Sequence, residues 1–168
     1  MILKFRMLSD ENDNFVRDFE VRPEMTLAKL HEFILGALDY DDCIASFFSA
    51  DDRWNRLHEY TSVDMGETGS DTVPTPMSET TLAEVIIGGS ERLVYQFDLL
   101  SDRAYYLSLV DSSKPNPALD YPRVAFEHAS APDQYDPGES LSDEGSIFDE
   151  MMGDFSDFEG CDDYDDEY

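Results

Sequence analysis

The sequence predicts a small α+β domain: one two-layer unit of mainly antiparallel sheet carrying two helices, followed by a long acidic tail. Three observations predict it. Period-two alternation of apolar and polar residues recurs in short segments, two stretches carry helical spacing, and both patterns stop near residue 110. The chain has 168 residues, enough for one domain with a true core.

Leu3, Phe5 and Met7 alternate with Lys4 and Arg6, the mark of a half-buried strand. Ser9–Asn14 is a polar turn, and Phe15, Phe19 and Val21 share a face of the next strand, so the two make a hairpin ended by Pro23. Thr26 is an N-cap, followed at helical spacing by Leu27, Leu30, Ile34, Ala37 and Leu38, with the helix ending near Asp39 or Tyr40. Ile44–Ala50 reads as a buried strand and Leu57–Val63 as a shorter one. Residues 64–79 hold Gly66, Gly69, Pro74 and Pro76 and read as a long disordered loop. A second short helix starts at Thr80 or Thr81 and stops at Gly88-Gly89. Leu93, Tyr95 and Phe97, then Tyr105, Leu107 and Leu109, form a closing hairpin. The expected order is β-β-α-β-(β)-α-β-β, and a hairpin followed at once by a helix suggests a β-grasp-like layout.

Charge sets the domain limits. Residues 1–111 carry 22 acids and 9 bases, whereas residues 112–168 carry 17 acids and 2 bases. Asp111-Ser-Ser-Lys-Pro-Asn-Pro117 reads as a linker, and the acidic, Pro/Ser/Gly-rich remainder buries too little apolar surface to offset its conformational entropy. The expected organisation is a domain at 1–111 and a disordered tail at 112–168. The net charge of −28 repels phosphate backbones and anionic membranes, so direct nucleic-acid and membrane binding are not expected. A basic protein partner or a cation is the electrostatically natural ligand. The oligomeric state is not encoded in any pattern of this kind.

Cys43 and Cys161 lie in unlike surroundings, which argues against a disulfide and for a reducing compartment. Residues 1–10 lack a signal-peptide pattern and no apolar run reaches bilayer length, so a cytoplasmic location is expected.

Chemistry-bearing motifs are few. There is no zinc-ligand spacing, phosphate loop, nucleophile elbow or calcium loop, so no metal, cofactor or enzymatic activity is expected. His31 lies on the first helix beside Leu30, where a histidine packs at the edge of a core. Trp54, between Arg53 and Arg56, is either an exposed anchor or a ring packed under arginine stems. Arg103 stands in a turn beside Asp102 and can pair with a neighbouring carboxylate. Together with Arg17 and Asp98, these residues make up a candidate surface site.

The chain from about 1 to 111 resembles the plasmid pRiA-type Orf-three-like domain family. Phe15-Val-Arg-Asp18, Thr26-Leu27 with Leu30-His31, and Tyr95-Gln-Phe-Asp98 carry the likeness. Where the typical pattern has His-Leu-His, this chain has Cys43-Ile-Ala-Ser-Phe-Phe48. Where it has a Phe-Gly-Asp turn and Trp-x-His, this chain has Leu99-Leu-Ser-Asp-Arg-Ala-Tyr105. The resemblance implies a fold and supplies no activity. The divergence and acidic tail are similar to a subgroup associated with Bacteroidetes-type bacteria.

The end of the tail has a pattern of its own. Ile147, Met151, Phe155 and Phe158 recur at helical spacing among acids, with Ser146 as a cap and Gly160 as a stop. Segment 147–158 is therefore expected to become an amphipathic helix in an apolar, basic groove of a partner. The leading expectation is a non-enzymatic interaction module. The alternatives are a nucleic-acid mimic that inhibits a DNA- or RNA-binding protein, and a hydrolase-like enzyme using His31, Asp98 and Arg17.

Overall fold

The computed structural model describes residues 1–63 and 73–135; segments 64–72 and 136–168 lie outside the described residues. A first compact unit spans Met1–Ala131, and a second, Pro132–Tyr168, is described only at 132–135.

The elements run β1 (Ile2–Ser9), β2 (Val16–Val21), α1 (Leu27–Leu38), β3 (Ser46–Ala50), β4 (Arg56–Thr61), β5 (Thr75–Pro76), a 3-10 turn (Met77–Glu79), α2 (Leu82–Ile87), β6 (Arg92–Asp98), β7 (Arg103–Ser113) and β8 (Arg123–His128). One eight-stranded sheet takes the order β5-β4-β3-β6-β7-β1-β2-β8. Every pairing is antiparallel except β4 with β5.

The hairpin β1–β2 closes on Asn12, which accepts the Asn14 N–H on its side chain and the Phe15 N–H on its carbonyl. In α1 the Thr26 hydroxyl accepts the Lys29 N–H, and the helix stops at Asp39, a left-handed residue with φ 57°. In α2, Thr81 and Glu84 form a complete capping box. The two helix starts also meet each other. The Leu27 N–H donates to the Thr80 carbonyl, and the Leu82 N–H donates to the Met25 carbonyl. Donors that helical geometry leaves open are thus satisfied by the partner's approach chain.

Both helices lie on one face of the sheet. Leu27, Leu30 and Ile34 of α1, with Leu82 and Val85 of α2, share a core with Phe5, Phe19, Phe47, Tyr95 and Leu107. Burying each such side chain stabilises the fold by about 1.5–3 kcal/mol. The opposite face has a separate small cluster built on Ala50, Val94 and Ala104.

Two expectations are corrected. The sheet does not end near residue 111: β7 continues to Ser113, and Arg123–His128 returns as an eighth strand on β2. The linker-like composition of 112–122 marks a connection between strands, and Arg123–His128 is too short a run for its pattern to stand out. The expected loop at 64–79 is likewise partly ordered. Thr75–Pro76 pairs with Tyr60–Thr61, and buried Met77 anchors the turn that follows.

Candidate functional site

A cleft of about 640 Å³ opens between α1 and the segment that follows it. His31, Glu32 and Leu35 form one wall, Tyr40, Asp42 and Cys43 the other, and Met77 also lines it. Helical spacing places His31 on the buried side of α1, beside Leu27, Leu30 and Ile34. Only 6% of the residue is exposed.

His31 Nδ1 is 2.7 Å from the Tyr95 hydroxyl, and its Nε2 lies 3.9 Å from Asp42 Oδ1. Burial pushes the His31 pKa below its ordinary value; Asp42, the Cys43 backbone and Glu32 oppose that shift without reversing it. The ring is therefore neutral at pH 7. Burial also pushes the Tyr95 hydroxyl well above the usual tyrosine range, so it remains protonated. Next to this pair, the Tyr40 and Tyr105 hydroxyls meet at 2.5 Å. Arg103, over the Phe97 ring at 4.8 Å, makes a bidentate ion pair with Glu11. Cys43 is of intermediate exposure.

The ionisable rim of the cleft is acidic. Among the described residues, Glu32 and Asp42 line it and no Lys or Arg does. Asp42 extends into water, its side chain 97% exposed. Such a lining suits a cation with an apolar stem.

The other sequence candidates are placed elsewhere. Arg17 lies on β2, buried over the Phe15 ring, and donates to the Val16 and His128 carbonyls. Its Nε is buried without a hydrogen-bond partner among the described residues, and Glu127 Oε2 stands 3.9 Å away. The Asp98 carboxylate accepts the Leu100 and Ser101 N–H groups of the β6–β7 turn. Among the described residues, His31, Asp98 and Arg17 have no hydrogen-bond partner in common. Trp54 sits in the β3–β4 turn at φ 66°, edge-on to Tyr106 at 5.2 Å and under Arg92 at 5.0 Å. The cation over it is thus Arg92, not the flanking Arg53 or Arg56. Arg103 pairs with Glu11, 92 residues away, while Asp102 pairs with Arg56. Ile147, Met151, Phe155 and Phe158 lie outside the described residues.

Tyr40, Asp42, Cys43 and Glu11 were not legible as site residues. They lie in turns without periodicity, and the packing of α1 and the sheet brings them to their partners. Among the described residues no group of His, Cys, Asp or Glu is placed to hold a metal, and no helix is long and apolar enough to cross a membrane.

The model of the plasmid pRiA4b ORF-3-like protein family matches residues 2–139. The chain belongs to this family. The match takes in β8, in keeping with its place in the sheet. No curated protein matches the chain. A crystal structure of the protein of unknown function MM3350 from Methanosarcina mazei Go1 is similar, with a TM-score of 0.64 at 16% identity. The likeness covers 99% of this chain and 92% of that one, and at this identity it shows a shared fold alone.

Proposed function

We propose that the protein is a non-enzymatic interaction module, acting in the cytoplasm, whose acidic, aromatic C-terminal sequence binds a basic protein partner. The observation that carries the reading is the apolar spacing of Ile147, Met151, Phe155 and Phe158 within a stretch of uniform negative charge. The folded domain is the scaffold. Its buried Arg103–Glu11 pair and His31–Tyr95 pair are satisfied internally, in keeping with a structural role. Because β8 is hydrogen-bonded to β2, the acidic sequence follows directly on the sheet's edge strand.

The cleft adds a second point of contact in this reading. Glu32 and Asp42 at its rim and Leu35 and Met77 in its wall match a Lys or Arg side chain of the same partner.

The test is capture of the partner from native lysate, with the bound protein identified and its binding then repeated in purified form. Phe155→Ala with Phe158→Ala is expected to abolish binding, and Asp42→Asn to weaken it. Unchanged binding by the double variant would contradict the reading. Binding that ignores the aromatic substitutions and collapses with salt would favour mimicry of nucleic acid instead.

A further inference from the structure

The sheet face opposite the helices takes no part in the cleft. Strand register aligns Phe48, Val94, Tyr106, Leu8 and Val16 as one row across β3, β6, β7, β1 and β2. An antiparallel sheet with one solvated face ordinarily alternates apolar-in with polar-out. Here the central outward row is apolar. Leu8 in that row is 41% exposed, and Phe126, set on the same face by its pairing with Asp18, is 51% exposed. Trp54 is held against the row in a left-handed backbone conformation that a bulky residue adopts only at a cost. No residue of either helix belongs to this cluster among the described residues.

The charges on this face also differ from those of the chain as a whole. Register and pairing put Lys4, Arg6, Arg56, Arg92 and Arg123 here, five of the 11 bases. Among the described residues, Asp18, Glu20, Glu59 and Asp111 stand opposite them by the same register, Asp102 pairs with Arg56, and Asp10 meets the Tyr106 hydroxyl, so the two signs are nearly balanced here although acids outnumber bases 39 to 11 in the chain. The signs are interleaved: Arg6 meets Asp18 at 2.8 Å, Lys4 meets Glu20 at 3.7 Å, and Arg123 also pairs with Glu20. Two copies of a chain with net charge −28 repel each other over most approaches. On this face the repulsion is locally cancelled, and a patch of mixed sign around an apolar row is complementary to its own two-fold copy.

We propose that two copies of the chain pair through this helix-free face, with the Leu8–Tyr106 row at the centre and the Arg6–Asp18 and Lys4–Glu20 pairs around it. The contact is isologous, sheet against sheet.

Light scattering and sedimentation equilibrium of the full chain over a wide concentration range test this. The wild type is expected to reach twice the 19.1 kDa chain mass. Leu8→Glu is expected to hold it at the single-chain mass. Ile87→Glu, at an α2 position 85% exposed and away from this face, is expected to leave the dimer intact. Circular dichroism melts establish that each variant is folded. If Leu8→Glu does not fold, Phe126→Asp, at an exposed position on the same face, takes its place and is expected to weaken the dimer. A wild type that stays at 19.1 kDa throughout overturns the proposal. So does a dimer untouched by folded Leu8→Glu or Phe126→Asp, or one lost equally with Ile87→Glu.

Discussion

The Arg103–Glu11 pair joins the β1–β2 turn to the start of β7, and removing the carboxylate has a calculable cost. The side chains are 7% and 16% exposed. Nε of Arg103 lies 3.0 Å from Oε2 of Glu11 and Nη2 lies 2.8 Å from Oε1, a two-pronged geometry. Burial works against the Arg103 cation, and the hydrogen bonds and charge of Glu11, with smaller help from Tyr40 and Asp98, offset it. Glu11→Ala leaves that cation over Phe97 with its bidentate partner gone. One-sided removal of a buried pair costs about 3–5 kcal/mol, and the residual exposure of Glu11 favours the lower end, about 3 kcal/mol. At roughly 2–4 °C per kcal/mol for a chain of this size, the melting temperature falls by roughly 6–12 °C. Glu11→Leu with Arg103→Met removes both charges and their desolvation together, so it is expected to cost less than Glu11→Ala alone. Urea unfolding of Glu11→Ala and of the double variant measures both losses. A Glu11→Ala loss below about 1 kcal/mol, the range of an exposed pair, would refute the reasoning.

Three further outcomes follow from the fold. The folded His31 pKa lies below its unfolded value of 6.5, so the unfolded chain binds the extra proton first. Stability from this residue is therefore complete above pH 6.5 and is lost as pH falls toward the folded pKa; His31→Gln should flatten thermal melts in that window, and an unchanged slope would contradict a buried neutral ring. Thr81→Ala breaks the α2 capping box and is expected to cost about 0.5–2 kcal/mol in urea unfolding. A chain ending at residue 111 loses β8 and the last residues of β7 and exposes the β2 edge, so it should aggregate or melt far below a chain ending at 135. Equal melting of the two would show that β8 adds nothing.

Much of the fold was legible because it rests on local signals. The alternation at Leu3, Phe5 and Met7, the Thr26 cap with its helical spacing, and Gly88-Gly89 after α2 each carry their own physics. Residues 112–128 misled because linker composition and a strand of six residues share one short segment, and pairing with β2 decides between them. Thr75–Pro76 misled for the same reason: two residues hold no period, and their order comes from Tyr60 and from buried Met77. In the candidate site, His31 was visible as a core-edge histidine, and Tyr95 as part of a strand motif. Their meeting at 2.7 Å was not, because contact across 64 residues depends on which strand α1 covers. Glu11 as the partner of Arg103 was hidden likewise, and the adjacent Asp102 was the misleading choice.

The central claim is that the acidic C-terminal sequence binds a basic partner while the domain holds it. Binding of the purified partner to the full chain and to a chain ending at residue 145 tests it most directly. The account predicts tight binding by the full chain and at least a tenfold loss, about 1.4 kcal/mol, in the shortened one. Equal affinity in the two would contradict it and move the function to the folded domain.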